Sequence, residues 1–153
     1  MGRQGAVFLL TLVALVGPAT SVGAKSVIRT PEGQVAQPYT GWMARSKMPL
    51  PASPLTIDND MAACGEPSPP ACVQTSYGFV HMNQDMEINR FDFYHELAHM
   101  VDFEKHITRS LSEGWADLYA SCSLNAKRNP GYGDTASDKG HRRKCKRLKN
   151  LVR

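Results

Sequence analysis

His95-Glu96-Leu97-Ala98-His99 sets two imidazoles four residues apart with a carboxylate between them, inside the run NRFDFYHELAHMVDF from Asn89 to Phe103. Four residues of α-helix turn through about 400°, so His95 and His99 stand one above the other on one face and can share a single ion. Glu96 lies about 100° round from His95, close to such an ion but aimed at water beside it, which suits a general base. Neutral imidazole is a borderline ligand, and a catalytic zinc takes three protein ligands plus a water. Zn2+ is therefore the expected cofactor, and a third ligand must come from elsewhere.

Leu111 to Ala120, LSEGWADLYA, is the expected source. Glu113 and Asp117 are again four apart, so a second helix presents two carboxylates on one face. A glutamate oxygen completes a His₂Glu site, and the aspartate one turn on can accept the far ring N–H of a ligand histidine and fix its tautomer. Plainer readings stand beside these. His95 and His99 can be an ordinary hydrogen-bonded pair on a half-buried helix. Ser110 and Glu113 can form a capping box with Ser110 at N-cap. Asp102, three residues after His99, is a rival third ligand.

HExxH followed by ExxxD resembles the gluzincin branch of the zincin metallopeptidases. The resemblance implies that His95, His99 and Glu113 are the zinc ligands, Glu96 the catalytic base and Asp117 the partner of His95. It also implies an α+β fold with a compact zincin-like core, two metal-bearing helices beside a short sheet, and hydrolysis of a peptide or protein substrate by a zinc-activated water. It covers Phe91 to Ala120. The linker from Lys105 to Ser112 is far shorter than in thermolysin-like enzymes, and no counterpart of their large C-terminal helical domain follows. The metzincin pattern would need glycine at 102 and histidine at 105, where the chain has Asp102 and Lys105. Tyr119, His106 and His141 are candidates for a second donor to the oxyanion.

The surrounding elements must position these groups. Tyr77 to Met82, YGFVHM, is the best strand candidate, being aromatic and β-branched. Its place ahead of the metal helix is that of the substrate-binding edge strand of zincins; an ordinary core strand is the plainer reading. His81 reads as a structural histidine. Asn89 is a plausible N-cap for the first helix, with Phe91, Tyr94, Ala98 and Val101 as an apolar stripe beside the histidines. The second helix is expected over Leu111 to Leu124. Leu111, Trp115, Leu118 and Cys122 face inward there, with Glu113 and Asp117 opposite. Ser26 to Gly65 is broken by Pro31, Pro38, Pro49, Pro51 and Pro54, permitting only short extended pieces such as Ser26 to Arg29 or Leu55 to Ile57. This loop-rich region reads as a wall of the cleft rather than a pro-segment.

Residues 1–24 read as a signal peptide, with Arg3, an apolar run from Ala6 to Val16 and the small residues Val22-Gly23-Ala24; the run is too short to span a bilayer. The remainder, 25–153, is expected to be a single secreted domain and a monomer, with no transmembrane segment in the mature chain. An even count of four cysteines in a small exported chain suggests two disulfides, with three possible connectivities. Cys64 and Cys72 bracket a Pro-rich loop and are paired with each other, which leaves Cys122 with Cys145. Asn129-Pro-Gly-Tyr-Gly133 reads as a loop. Residues 139–153 hold eight of the eighteen Lys/Arg and no acid, so the formal charge of +4 lies wholly in this basic tail. The tail is either a solvated helix face tied down by Cys145, with Leu148 and Val152 inward, or a contact for an anionic surface. Two rivals to a peptidase follow: a non-catalytic zinc-binding protein, and a basic polyanion-binding module whose metal is structural.

Overall fold

The structure is a computed structural model describing residues 27–65, 67, 69–86, 89–108, 112–126 and 138–153, without the side chains of 138 and 139. The expected leader, Ser110, Leu111 and the 129–133 loop lie outside them. The elements are β1 (Ile28–Arg29), α1 (Tyr39–Met43), β2 (Leu55–Asp58), β3 (Ala71–Gln74), β4 (Phe79–Met82), α2 (Arg90–Lys105), α3 (Glu113–Ser123) and α4 (Asp138–Leu151). The class is mixed α+β, as expected. The sheet order is β1-β2-β4-β3, with β1, β2 and β4 parallel and β3 antiparallel to β4.

That order corrects the expected role of Tyr77 to Met82. Its ordered part, β4, lies between β2 and β3, and Val80, His81 and Met82 are buried, so it is an inner strand. The edge beside it is β3, a four-residue strand that follows prolines and carries little apolar pattern of its own. β3 is held by its hairpin register, Val73 opposite Val80 and Cys72 opposite His81. Gly78 ends the connecting turn at φ +71°, and a Cβ there would meet the Pro54 carbonyl oxygen at 2.9 Å. Only glycine combines that backbone with that approach.

Residues 27–65 likewise do not line the hollows beside His95 and Glu96. They supply β1, β2 and core side chains including Ile28, Met43, Leu55 and Ile57. Tyr39 and Trp42 of α1 pack their rings on Phe93 at centroid distances of 5.2 and 5.6 Å. The Pro-rich stretch is pinned by polar ties: the Glu104 carboxylate accepts the Ala52 and Ser53 amides, both at 2.8 Å, and the Tyr119 hydroxyl donates to the Pro49 carbonyl. These ties satisfy backbone groups that the prolines keep out of regular structure.

α2 is the central element, packed on α3 and on β3 and β4. Asn89 caps it as expected, its side-chain oxygen accepting the Phe91 and Asp92 amides at 2.8 and 3.1 Å, and Asp92 adds a negative charge to the first turn. His106 ends it in the left-handed region at φ +51°. Phe93, Tyr94, Leu97, Ala98, Met100 and Val101 are all buried, each fully buried Phe or Leu being worth about 1.5–3 kcal/mol.

α3 starts two residues later than expected, at Glu113, and its inward face is rotated. Ala116, Tyr119, Ala120 and Ser123 are buried, while Trp115 and Leu118 are only partly so. Small residues at 116 and 120 let α3 lie close to α2, which carries Asp117 inward too. The N-cap is Ser112, without a side-chain cap bond, so Glu113 holds the first helical position rather than the third and the capping-box alternative fails. Leu148 of α4 and Val152, just after its end, are buried. Both expected cystines are present, Cys64–Cys72 and Cys122–Cys145, the second tying α3 to α4. No described helix is long and apolar enough to cross a membrane.

Candidate metal centre

α2 offers His95 and His99 one turn apart, and α3 brings Glu113 to them from its first turn. His95 Nε2 lies 2.8 Å from a Glu113 carboxylate oxygen and 3.2 Å from His99 Nε2, and His99 Nε2 lies 3.5 Å from the other Glu113 oxygen. A tetrahedral zinc with ligands at about 2.0–2.1 Å has ligand-to-ligand edges of about 3.3–3.4 Å. The 3.2 Å between the two imidazole nitrogens is close to that length, the two carboxylate oxygens lie on either side of it at 2.8 and 3.5 Å, and two imidazoles with a carboxylate are a donor set that suits zinc.

Asp117 stands behind this group. One of its carboxylate oxygens accepts from His95 Nδ1 at 2.9 Å, and Asp117 itself is buried. A proton held on Nδ1 leaves Nε2 as a lone pair. That lone pair lies 2.8 Å from an acceptor-only carboxylate, so two acceptors face each other. A cation relieves that conflict. Burial, followed by the neighbouring charge of His95, lowers the His99 pKa and favours the neutral, ligating form.

Glu96 is buried at 8 % exposure and lines the same cleft as the three donors. Burial pushes its carboxyl up to about 7, the positive charge of His95 opposing and the carboxylates of Glu113 and Asp92 adding to the rise. Two adjoining hollows of about 330 and 400 Å³ open here, both bordered by His95, Glu96 and Glu113. One wall is Pro69 to Val73, which includes most of β3 and the Cys72 end of the Cys64–Cys72 bridge. Sequence reasoning missed this wall; the hairpin signal of a glycine four residues after Gln74 was its one trace.

Asp102, the rival ligand, is committed elsewhere. It is buried, and its carboxylate accepts the Thr108 amide at 2.6 Å and the Thr108 hydroxyl, closing the turn after α2. None of the three oxyanion candidates lines the cleft. Tyr119 bonds Pro49, His106 is the exposed end of α2, and His141 is buried on α4 with Nε2 3.0 Å from Ser121 Oγ. His81 is structural, paired through Nδ1 with Asp58 at 2.5 Å across β2 and β4. Cys122, His141 and Cys145 also gather within reach of one ion, but the two sulfurs are bonded to each other. No protein-family model matches the chain, and comparisons with curated proteins and with solved structures return no match.

Proposed function

We propose that this chain is a secreted zinc-dependent peptidase with a zincin-like core. The observation that carries the reading is the convergence of His95, His99 and Glu113 on one point beside an open cleft lined by Glu96. His95 and His99 from α2 and Glu113 from α3 would hold the ion, with Asp117 fixing the ring of His95. When bound, zinc polarises the scissile carbonyl and acidifies water beside it. Glu96 accepts the proton of the attacking water on its carboxylate and returns it to the leaving amine nitrogen. β3, the sheet edge at the cleft, lets an extended peptide add as a strand, pairing backbone to backbone. The open cleft favours turnover over a non-catalytic zinc-binding protein, whose fourth position would be blocked. Two disulfides and the apolar segment near the N-terminus support export.

Glu96→Gln tests the reading, because it keeps the shape of the side chain and removes the base. Hydrolysis of a broad peptide library by the zinc-loaded protein should fall by about 10²- to 10⁴-fold, with zinc content unchanged. Undiminished hydrolysis by Glu96→Gln, or a zinc-loaded wild type that cleaves nothing in the library, would remove the peptidase reading.

A further inference from the structure

A second concavity, of about 280 Å³, lies between α4, the C-terminal end of α3 and the chain after α1. Four cations border it: Lys47, Arg142, Lys146 and Lys149. The last three are spaced i, i+4 and i+7 along α4, so they form one row on the helix. Lys47 comes from far away in sequence. The Lys47 amide donates to the Ser123 carbonyl at 3.1 Å, which fastens that segment to the end of α3 and sets its side chain across from the α4 row. The Cys122–Cys145 bridge holds α3 and α4 together at the same place.

No carboxylate is among the described residues lining this hollow, and no ion pair joins these four cations to a described acid. The fold thus gathers like charges around one concave spot, at a repulsive cost that an anion of fitting size offsets. Met48 and the disulfide give the floor an apolar patch, so the ligand has a non-ionic body as well as charged oxygens. α4 has already turned Leu148 into the core, and Leu151 is the one large apolar side chain it exposes among the described residues, too little for the apolar face that an interfacial membrane helix inserts.

We infer that this pocket binds the phosphate or sulfate group of a small soluble ester, with Lys47, Arg142, Lys146 and Lys149 as its oxyanion ligands. The site stands apart from the metal centre and does not depend on the peptidase reading.

The test titrates the full protein by calorimetry with a sulfated heparin disaccharide, with glucose 6-phosphate, and with vesicles of phosphatidylcholine and phosphatidylserine. Saturable, salt-sensitive binding of at least one of the two soluble sugars is expected. Lys47→Gln and Arg142→Gln should each weaken it by about tenfold, the loss of one charge-assisted hydrogen bond. Arg147→Gln removes the same charge from the far side of α4 and should change it by less than about twofold, since exposed charges away from the ligand are screened. Equal loss in Arg147→Gln, no loss in Lys47→Gln, or binding to the vesicles alone would overturn the pocket, leaving a diffuse basic surface.

Discussion

His95 is the residue on which the site turns, because both of its ring nitrogens are assigned work by different parts of α3. Nδ1 donates a hydrogen bond to Asp117 while Nε2 meets Glu113 at 2.8 Å. Asp117→Asn keeps the volume but replaces the anion that accepts this hydrogen bond. Zinc affinity should then fall by roughly 10- to 100-fold, measured by competition with a chelator of known strength. Unchanged affinity would make Asp117 a mere space-filler. The histidine pair was legible because a helix is a rigid ruler: residues four apart on α2 have little freedom to point elsewhere. Asp102 sits on the same helix and was only a rival to Glu113; its actual use was not legible, since its partner Thr108 lies past a turn whose left-handed residue, His106, carries no strong sequence signal.

At the level of elements, α2 was readable from Asn89 and its apolar spacing, and β1, β2 and β4 from short extended runs. β3 was not, because four residues between prolines and a turn acquire their strand character from pairing with β4 rather than from composition. The inward face of α3 was misread for a related reason. Ala116 and Ala120 are weak hydrophobic signals but permit close helix packing, whereas Trp115 and Leu118 remain partly exposed. The β3–β4 turn gives a direct test. Gly78→Ala places a Cβ on a backbone with φ +71° and 2.9 Å from the Pro54 carbonyl. It should cost about 2 kcal/mol in chemical denaturation, from strain at a left-handed position plus the contact. A variant as stable as wild type would show that this turn does not hold the hairpin against β2.

Across the whole molecule, α2 and α3 meet near the cleft through the contacts of His95 and His99 with Glu113, and α3 and α4 are joined by Cys122–Cys145. The disulfide closes a loop between positions 23 residues apart, for which chain entropy gives about 3 kcal/mol. Replacing both cysteines with alanine should lower unfolding stability by about that amount while leaving zinc uptake intact, since neither sulfur serves the His₂Glu group; loss of zinc in that variant would place the cystine in the metal site's support. The paired cysteines were legible from spacing within a small chain, but the meeting of Lys47 with α4 was not, because it depends on a long-range backbone bond to Ser123. The most direct measurement of the central claim is zinc content per chain by mass spectrometry of the purified protein and of His95→Ala, His99→Ala and Glu113→Gln. The expected result is about one zinc per wild-type chain, none retained by either histidine variant, and weakened retention in Glu113→Gln; full occupancy in all three variants would contradict it.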